Sequence, residues 1–376
     1  MKRRAFITTA AAGAVAGFPG GQPDAASLQK TVKLKRERLD IGIVGLGPYS
    51  NARLFANTIN KYQSVANSCF KVTAVWGKPE GYRTSFRGDG DWAADQAGKL
   101  PTPQAFADAY DIPRVVDDPA DMVKHVKGVF ITDPDHSLEL ARPFLEKGIP
   151  VFVDVPIAWS LREARELIAL AKRNNAVLAT GSFVPAGREF QSLKNRIGGA
   201  PVASYYLEGA GSTFINAYAH MFATGLALAP GTVDTCTTFG WNSPADADPA
   251  PTAPLYTHLK YKRTADDREP TLGLATNVPE PTVLNWAQIH CDSKVLNDQV
   301  NLSGTLEELH QDVSLCIPLL RIIEHAFING VWPRGEECLL NYISALLMAH
   351  KSGMNNGRMV SRADVEDHEL PRYITA

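Results

Sequence analysis

Gly45 and Gly47 end a short apolar segment, "DIGIVGLG", just before a segment with helical spacing. Pro48, Tyr49 and Ser50 follow, so the stretch matches the pattern G-x-G-x-x-G with serine in the third glycine position. In that pattern the first glycine permits a tight turn, and the second lets a pyrophosphate approach the backbone at a helix N-terminus. A serine is small enough for the helix to pack on the strand. The context favours a dinucleotide site over a glycine turn that binds nothing.

The second apolar segment, "FKVTAVWG", ends at Gly77 rather than at a carboxylate. An Asp or Glu in this position holds the ribose 2′-hydroxyl of NAD. Lys78 follows Gly77, and a cation without an acid suits a 2′-phosphate, which slightly favours NADP over NAD. Gly77-Lys78-Pro79 also has the composition of a plain turn, so both cofactors stay open.

Alternating strand and helix patterns surround these residues. The alternation continues to about residue 182 and predicts a parallel, doubly wound sheet. Ser160, with Glu163 three residues later, predicts the start of an amphipathic helix through a capping box. Beyond residue 182 the strand-like segments are longer, which predicts a mixed or antiparallel sheet. We divide the chain into a signal peptide (1–27), a linker (28–40), a Rossmann domain (41–160) and an α+β substrate and oligomerisation domain (161–376).

The sequence predicts an export signal at residues 1–27. A basic stretch at 2–4 precedes a mildly apolar, alanine-rich region, with small residues near position 26 that suit cleavage. Arg3-Arg4 followed by Phe6-Ile7 resembles a twin-arginine signal, and an ordinary secretory signal with a chance arginine pair is the alternative. The twin-arginine reading implies a bacterial protein that is exported folded, often with its cofactor loaded. We therefore expect a periplasmic or otherwise extracytoplasmic location.

Length, charge and cysteine content exclude several classes of partner. The chain has 376 residues, enough for two hydrophobic cores, and a net charge of −2. A chain with this charge is not expected to bind nucleic acid or an anionic membrane. No apolar run long enough to span a membrane follows the signal. The five cysteines are scattered and have no zinc-site spacing. We expect buried thiols, one disulfide at most, and no metal site.

The order of these motifs resembles the glucose–fructose oxidoreductase / inositol dehydrogenase (Gfo/Idh/MocA) family over about residues 38–370. The block "VFITDPDHSLELARPFLEKGIPVFVDVPIAWSLREARELIALAK" is the most specific part. The resemblance implies a Rossmann domain followed by an α+β domain with a large open mixed or antiparallel sheet. It also implies NADP or NAD, held tightly or exchanged, and hydride transfer on a carbohydrate or polyol. Thr132, Pro134 and His136 would border the nicotinamide, together with Asp154 and Pro156.

This chain departs from the family in the Glu-Lys-Pro motif, which reads Asp154-Val155-Pro156 here. The lysine of that motif is the usual proton-transferring residue, and its proline commonly carries a cis bond. Valine can neither take nor give a proton, and a positioned acid–base group contributes about 10²–10⁴-fold in rate. Val155 therefore disfavours ordinary dehydrogenation.

A second departure lies in the substrate-domain motif, "FINAYAHMFATG". His220 is kept, while Asn216 stands where Asp is common, Tyr218 takes the place of a small residue, and Ala223 replaces the last acid. With the lysine gone, the catalytic candidates are His220, Tyr218 and Asp154, with His136 as a further one. We favour His220 because its unperturbed pKa lies near neutral, and a purely structural histidine is the alternative.

We therefore favour an enzyme of the NAD(P)-dependent oxidoreductase type. Two other functions stay open. One is a catalytically silent carbohydrate-binding or scaffolding protein. The other is a lyase, epimerase or glycosidase reaction assisted by transient oxidation on a tightly held cofactor.

One further row of residues has period-2 spacing. Trp286, Gln288, His290 and Asp292 fall on one face of the strand "NWAQIHCDSK". In the resembled fold, one sheet face contributes to a cleft or to a subunit interface. The row therefore contacts either a sugar or another subunit, and we favour packing in a homo-oligomer.

Overall fold

The computed structural model of the chain describes residues 38–46, 51–77, 102–210, 214–229, 231–241, 255–263, 271–278, 286–291, 294–298 and 313–372. The predicted signal peptide and the linker up to residue 37 lie outside these residues. So do several residues of the expected cofactor site: Gly47, Pro48, Tyr49, Ser50 and Lys78.

Five parallel strands form the N-terminal sheet. They are β1 (Leu39–Val44), β2 (Phe70–Trp76), β3 (Gly128–Ile131), β4 (Val151–Val153) and β5 (Leu178–Thr180). Their order across the sheet is β2-β1-β3-β4-β5, which confirms the doubly wound sheet. The strands are apolar and almost completely buried, as parallel strands covered by helices on both faces must be. β1 begins at Leu39, two residues before the predicted start of the Rossmann domain at residue 41.

Short helices connect these strands. They are α1 (Ala52–Ala56), α2 (Gln63–Ala66), α3 (Pro103–Ala109), α4 (Ser137–Leu145) and α5 (Leu161–Arg173), with 3₁₀ turns at Pro119–Lys124 and Pro134–His136. The segment after β1 was expected to form one α-helix, but α1 continues as a π-helical turn, Asn57–Lys61. Asn60 in that turn hydrogen-bonds both backbone groups of Val72 through its side chain, which ties the turn to β2.

The parallel sheet continues past residue 160, the predicted end of the Rossmann domain. β5 pairs with β4 along its length, with Thr180 opposite Val153. The predicted boundary at 160 is therefore wrong, because α5 and β5 complete the βαβ unit that begins with β4. Ser160 caps α5 as expected, since its hydroxyl accepts the Glu163 N–H at 3.2 Å. The Glu163 carboxylate, however, accepts the N–H of Trp159 at 2.9 Å, so the predicted capping box is not formed as written.

A mixed sheet forms the second half of the fold. Its strands are β6 (Val202–Ala210), β7 (Val233–Phe239), β8 (Leu255–Tyr261), β9 (Leu272–Val278), β10 (Trp286–Cys291), β11 (Lys294–Asp298) and β12 (Val360–Ser361). Their order is β11-β10-β6-β9-β8-β7-β12. β6 and β9 run parallel, while the other neighbours are antiparallel. The mixed α/β fold class is confirmed.

Five helices follow β5 in the described chain, and three of them pack against the mixed sheet. The five helices are α6 (Phe183–Ala186), α7 (Arg188–Ile197), α8 (Phe214–Leu228), α9 (Val313–Asn329) and α10 (Glu336–Met354). Helix α10 is buried along most of its length and packs against β7, α8 and α5, so one helix joins both halves of the molecule. Its Asn341 side chain accepts the Val233 N–H at 2.8 Å and donates to the Gly231 carbonyl at 2.7 Å.

One face of the mixed sheet is partly exposed. Ala287, Ile289 and Cys291 of β10 are buried, whereas Gln288 and His290 are half-buried on the opposite face, as the period-2 spacing predicts. Exposed apolar side chains share that face: Tyr256, Leu272 and Val295. A homo-oligomer through this face stays a prediction.

A C-terminal tail, residues 359–372, joins the mixed sheet to the Rossmann domain. Its β12 pairs with β7. Further along, Glu366 forms a two-pronged ion pair with Arg165, at 2.6 and 2.8 Å, and Glu369 pairs with Arg162 at 2.8 Å. Arg372 then hydrogen-bonds the Asp135 carbonyl and the Glu163 carboxylate. The tail thus ends at the loop that follows β3.

All five cysteines are free thiols, and all but Cys338 are buried. Among the described residues, no helix combines the length and apolarity needed to cross a membrane. The same residues contain no cluster of three or more His, Cys, Asp or Glu side chains that could hold a metal ion.

Candidate active site

The glycine turn after β1 lies at the carboxyl edge of the parallel sheet. Gly45 has φ +100°, and a Cβ atom there would come within 2.4 Å of the Asp133 backbone nitrogen, so glycine is required. Thr132, after β3, donates its hydroxyl to the Gly45 carbonyl at 2.5 Å, and its own N–H bonds the Val44 carbonyl at 2.8 Å. Thr132 is buried, and these hydrogen bonds fix the turn.

The end of β2 lies next to this turn. A Cβ atom on Gly77 would come within 2.8 Å of the Leu46 Cβ, so glycine lets the two loops pack closely. The described residues at the end of β2 include no carboxylate that could accept a ribose hydroxyl. Strand, glycine turn and helix therefore fit a dinucleotide, and Gly77 stands where NAD-specific sites place an acid.

The loop after β3 carries His136 beside the same edge. Its Nδ1 lies 3.4 Å from Asp133 Oδ1, and the same oxygen accepts the Asp135 N–H at 3.0 Å. The His136 side chain is 29% exposed, so its ring is accessible at this edge. Pro134 lies in the 3₁₀ turn between them.

Asp154 follows β4 and is 5% exposed. Its Oδ2 accepts a hydrogen bond from the Asn51 side chain at 2.7 Å, and its Oδ1 accepts the Val155 N–H at 2.9 Å. Burial raises the pKa of Asp154 to about 6, because loss of hydration outweighs these donors and the Asn51 backbone N–H, all of which favour the carboxylate. The strand β4 and the start of α1 are therefore joined by a carboxyl group that titrates near neutral pH.

Val155 is partly buried and packs against the hydrophobic core. The peptide bond between Val155 and Pro156 is cis, as the resemblance implies. Position 155 thus holds an apolar side chain next to the Asp154 carboxyl.

His220 lies in α8 and is 7% exposed. Its Nδ1 lies 2.8 Å from the hydroxyl oxygen of Ser182, two residues beyond β5, and its ring packs against Phe183 with centroids 5.0 Å apart. Burial lowers the pKa of His220 to about 4. Desolvation disfavours the imidazolium, so His220 does not keep the near-neutral pKa of an unperturbed histidine, and its catalytic role stays a prediction.

Tyr218, one of the three catalytic candidates, is fully buried. Its hydroxyl donates to the Leu255 carbonyl at 3.1 Å, and its ring stacks on Phe214 with centroids 4.7 Å apart. The structure therefore gives Tyr218 a packing role between α8 and β8, which contradicts its proposed part in proton transfer. The side chain of Asn216 lies outside the described residues.

Three polar residues at this edge were not identified from the sequence: Asn51, Thr180 and Ser182. Asn51 stands at the start of α1, where a polar residue has an ordinary capping explanation, yet its side chain bonds Asp154 instead. Thr180 ends β5, and its buried hydroxyl has no hydrogen-bond partner in the described part of the chain. Such a hydroxyl at a strand end is compatible with a bound water or ligand. Polar residues just after apolar strands were the available signal.

A family model matches residues 39–182 of this chain. Its description is "Oxidoreductase family, NAD-binding Rossmann fold", and the family is Gfo/Idh/MocA. Residues 39–182 therefore match the NAD-binding Rossmann domain of the Gfo/Idh/MocA family. The match ends at residue 182, just beyond β5, in agreement with the sheet and not with the predicted boundary at 160.

Solved structures of dehydrogenases resemble this chain over most of its length. Scyllo-inositol dehydrogenase from Lactobacillus casei, solved with NAD(H) and scyllo-inositol, is 16% identical with a TM-score of 0.63, over 87% of this chain and 100% of that one. A probable dehydrogenase from Thermotoga maritima is 14% identical with a TM-score of 0.65, over 87% and 100%. Myo-inositol 2-dehydrogenase from Lactobacillus plantarum is 12% identical with a TM-score of 0.61, over 86% and 99%. These likenesses establish a shared two-domain fold. No curated protein matches the sequence.

Proposed function

We propose that this protein is an NAD(P)-dependent oxidoreductase that transfers a hydride between the nicotinamide and a carbon of a carbohydrate or polyol. The observation that carries the proposal is the convergence of the Gly45 turn, the Asp154 carboxyl and the His220 ring at the carboxyl edge of one parallel sheet. Ligands of open α/β sheets bind at that edge. The polyol dehydrogenases among the structural neighbours support the substrate class.

The cofactor we favour is NADP. Gly77, and not a carboxylate, follows β2, and Lys78 comes next in the sequence. A cation in this region favours a 2′-phosphate over a free ribose hydroxyl. Lys78→Ala should weaken NADP binding while leaving NAD binding unchanged, as measured by calorimetric titration of both nucleotides. Equal weakening for both nucleotides would contradict the assignment.

When bound, the nicotinamide supplies the hydride acceptor or donor at its C4 position. Oxidation of a substrate alcohol also releases the hydroxyl proton. The protein must therefore contain a proton acceptor or pass the proton to one. Val155 cannot do so. We assign this role to Asp154, because an acid–base group is most effective when its pKa lies near the working pH, and its pKa is about 6. His220 stays neutral at that pH and can hydrogen-bond the substrate oxygen.

The experiment that tests the function begins with the purified full-length protein. Mass analysis after denaturation identifies any nucleotide that was tightly held, and a panel of sugars and polyols is then screened by nicotinamide absorbance. On a substrate that reacts, Asp154→Asn should lower kcat by about 10²-fold or more. An exposed carboxylate on α3, changed as Asp108→Asn, provides the matched control. Failure to bind either nucleotide would refute the proposal.

Carbohydrate binding without turnover is the second candidate, and Val155 is the observation that favours it. In this case, the protein would bind NAD(P) and a polyol without any change in nicotinamide absorbance. Val155→Lys would then introduce a proton-transferring group at the position where the family has one, and Val155→Met would control for side-chain size. Gain of turnover in the lysine variant alone would support the binding function for the natural protein.

We also propose that the protein is exported folded to the bacterial periplasm. The support is the Arg3-Arg4 pair before an alanine-rich segment. Replacing both arginines by lysine keeps the charge but removes the twin-arginine pattern. Cell fractionation should then find the protein in the cytoplasm, and unchanged export would contradict the proposed route.

A further inference from the structure

The hydrogen bond between Ser182 and His220 connects the two halves of the molecule at the site. Ser182 follows β5 of the Rossmann sheet, and His220 lies in α8 of the second half. The Ser182 oxygen lies 2.8 Å from His220 Nδ1, and both side chains are buried. Within the described residues, Ser182 is the hydrogen-bond partner of the imidazole ring. The state of that ring is therefore set by what the serine hydroxyl can donate and accept.

The Ser182 hydroxyl oxygen already accepts one hydrogen bond. The Val184 N–H donates to the Ser182 oxygen at 3.1 Å. Ser182 is 2% exposed, so its hydroxyl proton needs an acceptor inside the protein. His220 Nδ1 is the acceptor that the described residues offer. If Nδ1 carried a proton and donated to the serine, the serine proton would be buried without an acceptor, which is unfavourable.

The ring itself is neutral under ordinary conditions. Burial lowers the pKa of His220 to about 4, so the imidazole carries a single proton at neutral pH. With Nδ1 accepting from Ser182, that proton lies on Nε2. A neutral ring in this tautomer can donate one hydrogen bond, and it is a poor base because its protonated form is disfavoured.

We propose that Ser182 is a positioning residue that holds His220 in the Nε2-protonated tautomer, so that His220 donates a hydrogen bond to the substrate oxygen instead of taking its proton. The role towards substrate rests on the proposed oxidoreductase function. A fixed donor at this oxygen stabilises the negative charge that develops there during hydride transfer. In this assignment, Asp154 transfers the proton and His220 donates the hydrogen bond.

The tautomer can be read without cofactor or substrate. Protonated and unprotonated imidazole nitrogens have distinct ¹⁵N shifts, so long-range ¹H–¹⁵N spectra of histidine-labelled full-length protein report each ring. His220→Gln identifies the relevant signal among the nine histidines. We expect a protonated Nε2 and a bare Nδ1 near neutral pH in the wild type and in Ser182→Thr, which keeps a hydroxyl. Ser182→Ala should give a mixture of tautomers.

The donor role needs a kinetic readout on whichever substrate the screen identifies. Ser182→Ala should lower kcat by roughly 10-fold with little change in KM, and Ser182→Thr should restore most of it, because a preorganised donor acts chiefly in the transition state. A wild-type ring protonated on Nδ1, or a tautomer unchanged in Ser182→Ala, would overturn the assignment of Ser182. The expected tautomer with an unchanged kcat in Ser182→Ala would overturn the donor role. Absence of any nucleotide binding would refute the proposed function and leave the tautomer result standing.

Discussion

Asp154→Asn should change how the stability of the protein depends on pH. The carboxyl is almost completely buried, and burial raises its pKa from 3.8 to about 6. A raised pKa means that the folded state binds this proton more tightly than the unfolded state does. The stabilisation is fully present below the unfolded pKa, and it is lost as the pH rises through the folded pKa of about 6.

The size of the effect follows from the shift. Each pKa unit corresponds to about 1.4 kcal/mol, so a shift of roughly two units corresponds to roughly 3 kcal/mol. The asparagine variant has no charge to desolvate and lacks this dependence. The free energy of unfolding of the wild type, taken relative to the variant, should therefore fall by roughly 3 kcal/mol between about pH 4 and about pH 7.

Urea unfolding followed by circular dichroism measures the difference across this range. Changes in hydrogen bonding to Asn51 shift the difference in unfolding free energy by the same amount at every pH, so they do not change its dependence on pH. Asp108→Asn, an exposed carboxylate on α3, serves as the control for removing one acid. A flat difference, or one that rises with pH, would refute the reasoning, because it would mean that the donors from Asn51 and Val155 outweigh desolvation.

Three further substitutions test the packing around the site. Tyr218→Phe removes the bond to the Leu255 carbonyl and should lower the free energy of unfolding by about 1 kcal/mol; a loss of turnover without that loss of stability would restore a catalytic role. Glu324→Gln, at the contact of α9 with the start of β2, should cost roughly 1–3 kcal/mol in urea unfolding, because it removes the charge of a buried carboxylate that accepts the Cys69 N–H at 2.8 Å and pairs with Arg321 at 2.7 Å. Arg165→Ala should cost less than about 1 kcal/mol, since its pair with Glu366 is solvent-exposed; a larger loss would show that the tail is held more strongly than a surface ion pair.

The sequence predicts the parallel sheet because its strands are continuous apolar runs, each closed by a glycine or a polar residue, and these signals are local. Ser160 marks the start of α5 for the same reason. The contacts that define the site are not local: Asn51 and Asp154 are 103 positions apart, and Ser182 and His220 are 38 apart. No sequence spacing predicts that the two residues of either pair are in contact. Burial decides the rest, since it makes Tyr218 structural, lowers the pKa of His220 and raises that of Asp154.

The C-terminal tail also determines when the candidate site is completed during synthesis. Arg162 and Arg165 pair with carboxylates that lie 207 and 201 positions later, and Arg372 reaches the loop after β3 from a residue made 237 positions after Asp135. Domains fold from the N-terminus as the chain leaves the ribosome, so the Rossmann core can form long before these partners exist. The loop beside the cofactor edge therefore gains its final contacts only from a full-length chain. A protein truncated before residue 359 would retain every strand of the parallel sheet and still lack the segment that supports this loop.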